Sequence, residues 1–175
     1  MYLNKINLFL VTNICLIFFL LSNNDVKSEE VKIISGIAKV TDGDTIRIEE
    51  KKIRFFGIDA PEQKQQCKKT WLTVSFISFS KYYPCGQIST DKLKKKINNE
   101  LLICKWSNKD KYKRYIAECF KGKTNINAWM VRNGYAVAYR KYSKKFVSQE
   151  IFAKKEKLGL WSGTFIMPWD YRKNN

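Results

Sequence analysis

Val40-Thr-Asp-Gly-Asp-Thr-Ile-Arg-Ile48, then Glu49-Glu-Lys-Lys52, then Ile53-Arg-Phe-Phe-Gly-Ile-Asp-Ala-Pro-Glu62 is the stretch that decides the fold. Asp42-Gly43-Asp44 is a turn signal, and Thr45 to Ile48 alternates apolar and polar residues as a half-buried strand does. The polar run Glu49 to Lys52 reads as a second turn, and Ile53 to Ile58 as the next strand. The β-rich segment Val31 to Val40 precedes them, so the three form an antiparallel meander. Pro61 removes a ladder donor and ends it.

Further along, Gly86 to Ile97 reads as a basic helix. Glu100 to Trp106 and Tyr112 to Phe120 read as two strands around a turn at Ser107–Asp110. Thr124 to Asn133 reads as a helix, with Ile126, Trp129 and Met130 on one face and Gly134 after its end. Tyr135 to Tyr139 is a short strand. Ser143 to Leu158 is a second amphipathic helix, with Ser143 as N-cap and Val147, Ile151 and Leu158 facing inward. Residues 63–83 give no clear period. The aromatic tail from Leu160 packs on the body. Five strands with about three helices point to an α+β fold: a five-stranded barrel of the OB type with helices packed on it.

The chain has 175 residues, no histidine, and 33 Lys+Arg against 16 Asp+Glu. A Ser-His-Asp triad, a Cys-His dyad, a His-ligated zinc and a His general base are thereby excluded. A net charge of +17 points to a polyanionic partner, nucleic acid or an anionic membrane surface. Lys5 followed by the apolar run Leu8 to Leu21 reads as an export signal over residues 1–28; a retained anchor is the alternative, though a span needs about 20 residues. Residues 29–175 then form a single domain, exported to the periplasm or the extracellular space.

Cys67, Cys85, Cys104 and Cys119 remain after residue 28. An even number in an exported chain indicates two disulfides. Cys104 and Cys119 sit in two apolar runs around a turn and can face each other, which favours Cys104–Cys119 with Cys67–Cys85. A four-thiolate zinc site is the alternative, but no Cys-x-x-Cys knuckle is present.

Chemistry concentrates between Asp42 and Glu62. If the strands pair through the 49–52 turn, Asp44 and Asp59 converge at one edge. Two carboxylates brought together repel unless a cation joins them, and a hard divalent ion with oxygen ligands would do so. Glu62 could orient a water beside it. Arg54 has an odd offset of five from Asp59, which puts the two on opposite faces of an ideal strand, so a bend or a barrel rim would be needed for them to converge. Each element alone has an ordinary structural role as turn, cap or solvated strand residue.

Together the residues resemble the thermonuclease, or staphylococcal-nuclease-like, family. Val40 to Thr45 and Arg54 to Glu62 carry the resemblance first. Asp110-Lys-Tyr-Lys-Arg114 is similar to the family's Asp-x-Tyr-Gly-Arg turn. Asn127 to Gly134 and Ala153 to Trp161 are similar to its C-terminal half. The resemblance implies a Ca²⁺-dependent phosphodiesterase on an OB barrel. Asp44, Asp59 and the backbone carbonyl of Ala60 would hold the ion, Glu62 would act as general base, and Arg54 and Arg114 would grip the scissile phosphate. Tyr112 and Tyr139 would lie near the nucleotide, with Lys111 in a basic run that attracts phosphate. The substrates implied are DNA and RNA, cut by a monomer to 5′-hydroxyl and 3′-phosphate ends. Lys113 departs from the pattern, since the family has Gly there. The competing readings are a catalytically inactive nucleic-acid-binding module and a basic membrane-surface protein.

Overall fold

The computed structural model describes residues 31–174. The export signal expected over residues 1–28 lies outside these residues.

Strands β1 (Lys32–Asp42), β2 (Thr45–Ile48) and β3 (Lys51–Phe55) form the antiparallel meander, with Ile46 opposite Ile53 and Thr45 opposite Arg54. Ile34, Ala38, Ile46, Ile48, Ile53 and Phe55 are buried, so the inward alternation read from the sequence is the alternation that folds. The strand expected over Ile53–Ile58 is broken. It turns at Phe56-Gly57, where Gly57 has φ +70°, and resumes as β4 (Ile58–Asp59).

The segment 63–83 is a hairpin, β5 (Cys67–Val74) and β6 (Ile77–Tyr83), paired only with each other apart from a bridge between Lys68 and Thr164. Helix α1 (Cys85–Ile97) follows and seats Leu93 and Ile97 in the core. Each such side chain contributes roughly 1.5–3 kcal/mol by leaving water.

Strands β7 (Leu101–Lys109) and β8 (Tyr115–Lys121) are antiparallel. Their turn lies later than the expected Ser107–Asp110, so Tyr112 sits in the turn and not in a strand. The cause is Asp110, whose Oδ1 accepts from the Tyr112 and Arg114 N–H groups at 2.9 and 3.0 Å and closes the loop around itself. Strand β8 then pairs with β3 in parallel, which closes β3-β2-β1-β7-β8 into a five-stranded OB-type barrel. Cys104 and Cys119 are direct partners in the wall, with Cα atoms 4.0 Å apart, and are joined there; Cys67–Cys85 ties the hairpin to α1.

The short strand β9 (Thr124–Asn125) leads into α2 (Ile126–Arg132), capped by the Asn125 side chain. Strand β10 (Val137–Ala138) pairs with β4, and α3 (Val147–Lys155), a short 3₁₀ turn and α4 (Pro168–Asn174) complete the chain. Helix α3 is shorter than the expected Ser143–Leu158. Ser143 accepts a hydrogen bond from the Lys145 N–H, two residues on, and so stabilises the turn before the helix. Its inward face also differs: Ile151 is 58% exposed and Glu150 is 1% exposed. Among the described residues, 31–174, lie the core, both disulfides and the strands that close the barrel.

Glu150 is buried because its carboxylate is fully engaged. It accepts from the Ala138 N–H at 3.0 Å and pairs with Arg140 at 2.5 Å and Lys154 at 3.1 Å, which fixes β10 to α3. Burial pushes its carboxyl up, but the bonds from Arg140, Lys154 and the Ala138 N–H outweigh that and hold it below its ordinary value. A lowered folded value stabilises the protein above the unfolded value, and that stability is lost as pH falls through the folded one. Glu150→Gln is expected to cost about 2 kcal/mol at pH 7 in urea unfolding. The gap from wild type should narrow as pH drops below 4; a gap constant with pH would refute the assignment.

Candidate active site

Asp44 stands at the start of β2 and Asp59 at the end of β4, and both are buried, at 2% and 0% exposure. Two buried carboxylates need a cation close by. Arg54 supplies it: Nη1 donates to Asp44 Oδ1 and Nη2 to Asp59 Oδ1. The bend at Gly57 makes this possible, by turning Asp59 back to the face of Arg54. The Ala60 N–H donates to Asp44 Oδ2 at 2.6 Å and Thr45 Oγ1 to Oδ1 at 3.1 Å. Burial lowers the Arg54 value, and the Arg114 charge adds to this, against the neighbouring aspartates. Asp42, whose Oδ1 accepts from the Asp44 N–H at 3.0 Å, is pushed up by burial against the pull of Arg54.

The loop carrying Asp44 lies close under α1. A Cβ at Gly43 would come within 2.2 Å of Ser89 Oγ and 2.7 Å of Ala60 Cβ. On the other side Asn127, fully buried, accepts from the Cys119 N–H at 3.1 Å and donates to the carbonyls of Phe56 and Ala117 at 3.0 and 3.1 Å. It thereby fixes the Phe56-Gly57 bend to the barrel wall.

Arg114 is aimed by Asp110, which accepts from its Nε at 2.7 Å and pairs with Nη2 at 2.7 Å. Burial raises the Asp110 carboxyl, but the bonds and charge of Arg114 bring it below its ordinary value. Lys113 has φ +62°, so the backbone here does adopt the left-handed conformation that glycine accommodates best. Tyr112 is 67% exposed, with the Arg114 guanidinium 5.5 Å and Lys111 Nζ 5.0 Å from its ring centre.

The C-terminal helix adds residues that the sequence reading did not assign to the site. Arg172 Nη2 donates to Asp59 Oδ2 at 2.7 Å; Nη1 donates to Asp59 Oδ1 at 3.1 Å and to Glu62 Oε1 at 2.7 Å. Burial lowers the Arg172 value, but these bonds outweigh it and raise it. Trp169 stacks on Tyr139, with ring centres 5.2 Å apart and planes 5° from parallel, so one face of Tyr139 is covered. Burial and the nearby Asp59 charge push the Tyr139 hydroxyl up. Gln65, fully buried, anchors the tail: its Nε2 donates to the Ile166 carbonyl at 2.7 Å and its Oε1 accepts from the Glu62 N–H at 3.2 Å.

Among the described residues, no three acidic or cysteine side chains converge as a ready-made metal cage. Asp44, Asp59 and Glu62 are instead joined through Arg54 and Arg172. The donors are hard carboxylate oxygens, and the Arg172 guanidinium is a stand-in cation on two of these carboxylates, so the set fits a hard cation.

The fold and the site together define the class, an OB-type barrel with carboxylates and arginines gathered on one rim. The family model described as staphylococcal nuclease homologue matches residues 52–163, and the chain belongs to that family. The chain is 30% identical over 132 residues to a succinoglycan biosynthesis protein of Rhizobium meliloti, covering 73% of this chain and 64% of that relative's length. It is 29% identical to an endonuclease of Escherichia coli, uncharacterized by its name, over 78% of this chain and 84% of the relative. A similarly named protein of Haemophilus influenzae is 30% identical over 87% and 78% of the two lengths. Arg172 and Trp169 lie beyond residues 52–163, which the family model matches.

The left-handed backbone at Lys113 predicts the effect of substitution there. Lys113→Gly is expected to raise stability by about 0.5–1 kcal/mol, the left-handed penalty less the entropy of glycine. Lys113→Val, β-branched at positive φ, is expected to lower it by at least as much. Thermal unfolding of the two variants checks both signs.

Proposed function

We propose that the protein is an exported, Ca²⁺-dependent endonuclease that hydrolyses phosphodiester bonds of DNA and RNA with little regard to base or sugar, leaving 5′-hydroxyl and 3′-phosphate ends. The observation that carries this reading is the buried Asp44–Arg54–Asp59 bridge with Glu62 on the same rim. Membership of the nuclease family and relatives named endonuclease support it.

The chain's own residues divide the work. Arg54 has five N–H donors and spends two on the aspartates, which leaves donors for a phosphate oxygen. Arg114, held by Asp110, presents a second fork. Together the two guanidiniums oppose the negative charge that grows on the phosphate oxygens. Glu62 takes the proton from an attacking water as its oxygen bonds to phosphorus; the bond to the 5′ oxygen breaks, and that oxygen takes a proton from solvent water to leave as the 5′-hydroxyl. Asp44, Asp59 and the Ala60 carbonyl would hold Ca²⁺, which when bound adds Lewis-acid stabilisation of the phosphate charge. Tyr112 and Lys111 would meet a base and a phosphate of the strand; on Tyr139, Trp169 covers one face and Tyr142 makes an edge contact with ring centres 4.8 Å apart. No contact of this kind reads base edges, so sequence preference is weak. Export is supported by the two disulfides, which persist in oxidising compartments. No helix among the described residues is long and apolar enough to cross a membrane.

Cleavage of labelled single-stranded DNA by residues 29–175, with Ca²⁺ raised from a chelated zero, tests the proposal. Ca²⁺-dependent cutting is expected, with Glu62→Gln slower by about a hundredfold or more. Binding without cutting at every Ca²⁺ level would replace the enzyme by a binding module. Arg172→Ala removes the competing guanidinium from Asp59 and Glu62. It is expected to lower the Ca²⁺ dissociation constant about tenfold in calorimetry, the size of one charge-assisted pair. An unchanged constant would show that Arg172 does not compete for those oxygens.

A further inference from the structure

The β5–β6 hairpin has no place in the chemistry above. It is a two-stranded ribbon, a form marginal in water on its own, held at its base by Cys67–Cys85 and by the backbone bonds between Lys68 and Thr164. Its register pairs Val74 with Ile77, Leu72 with Phe79, and Lys69 with Lys81. Because side chains alternate, these three pairs share one face of the ribbon. Thr70, Ser78 and Ser80 fall on the other. Nothing among the described residues covers the apolar pairs: Leu72 is 42% exposed, Val74 56%, Ile77 58% and Phe79 46%. Phe76, at the tip, is 96% exposed and Trp71, at the bulge, 61%. An apolar patch left open on this scale marks an interaction surface.

Charge identifies the partner. Residues 63–90 contain four lysines, at 64, 68, 69 and 81, and no acid. Lys69 and Lys81 are direct cross-strand neighbours, a like-charge pairing that costs stability by itself, and neither pairs with a carboxylate among the described residues. Along the ribbon the order from the tip is Phe76, the pair Val74 and Ile77, the pair Leu72 and Phe79, then the lysines. At about 3.3 Å per residue the apolar part is about 10 Å long, the depth to which interfacial segments enter the acyl boundary. The lysines then stand at the level of the headgroups, with Tyr82 beside Lys68. A nucleic-acid strand would call for cations interleaved with aromatics along its path; here half of the tip is aliphatic and the cations lie behind it. A second copy packed on this face in parallel would bring the lysine pairs of both chains together, and one packed antiparallel would set them against apolar side chains. We propose that this hairpin is a docking device for an anionic lipid bilayer, inserting Phe76, Ile77, Val74, Leu72 and Phe79 while Lys69 and Lys81 bind lipid phosphates.

The test uses residues 29–175 with vesicles of phosphatidylglycerol and phosphatidylcholine, or phosphatidylcholine alone, in co-sedimentation. Strong binding is expected only with phosphatidylglycerol, together with a blue shift of Trp71 emission, isolated by subtracting the Trp71→Phe spectrum. The double variant Phe76→Ser, Ile77→Ser keeps every charge. It is expected to bind about tenfold or more weakly, to lose the Trp71 shift and to melt at the wild-type temperature. Lys69→Gln with Lys81→Gln should weaken binding about tenfold on phosphatidylglycerol and not on phosphatidylcholine. Vesicle binding unchanged in the Phe76, Ile77 variant would overturn the proposal, because overall charge then suffices. So would a wild-type dimer in sedimentation velocity that this variant abolishes without lipid, or single-stranded DNA binding that it weakens while vesicle binding stays intact. Cutting of DNA is independent of each outcome, so the failure of the nuclease reading would be seen separately.

Discussion

Two aspartates with almost no contact with water face one arginine between them, and much of the fold holds that arrangement in place. Buried carboxylates are tolerated only when paired and hydrogen-bonded. Arg54 cannot reach both Asp44 and Asp59 along a straight strand. The chain therefore breaks between β3 and β4 at Gly57, and Asn127 binds the carbonyl of Phe56 to the barrel wall so that the break keeps one shape. Gly43 lets the Asp44 loop lie against Ser89 and Ala60. Barrel closure through β3 and β8 lies next to this bend, with Phe55 opposite Ala117. Stability and site geometry thus rest on the same few residues.

The electrostatics of the molecule work at two ranges. The chain carries +17 overall, a field that draws polyanions from a distance and is screened by salt. At the rim the balance reverses. Asp44, Asp59 and Glu62 set three negative charges against the two guanidiniums of Arg54 and Arg172. A basic surface attracts polyanions from a distance, and a locally acidic rim attracts cations at short range. The C-terminal helix sits at the junction, with Arg172 on the carboxylates and Trp169 against Tyr139. The Arg172 guanidinium occupies those oxygens, so any cation bound there would have to compete with it.

The meander was legible because period-two alternation and turn chemistry agree over residues 31–58. The facing of Cys104 and Cys119 was legible because two apolar runs around one turn leave few registers. The convergence of Asp44 and Asp59 followed from the pairing of the meander strands through the 49–52 turn, and the odd offset of Arg54 called for a bend or a barrel rim, of which Gly57 provides the bend. Other features had no local signal. Arg172 reaches Glu62 across 110 residues, and nothing in Trp-Asp-Tyr-Arg-Lys announces it. The hairpin at 67–83 escaped because a ribbon with no core to face is not required to alternate cleanly, and the bulge at Trp71 breaks what alternation there is. Glu150 was hidden by the usual rule that helix faces bury apolar residues: its three partners reverse that rule, and Ile151 turns outward as a result.

The choice of cation also carries information. Only six of the 33 basic residues are arginines, at 47, 54, 114, 132, 140 and 172. Three of these, Arg54, Arg114 and Arg172, engage carboxylates at the rim or in the turn that points to it. The surface runs at 68–69, 94–96 and 144–145 are lysine. An ammonium is a hydrated point charge on a flexible stem, suited to a diffuse field. A guanidinium is planar, remains charged when buried, and binds two oxygens at a fixed spacing. Lysine in place of Arg54 would have to choose between Asp44 and Asp59 and would leave one of them buried alone. Arginine is therefore demanded at the rim by the same physical constraint that brings the aspartates together, while the rest of the surface needs only charge.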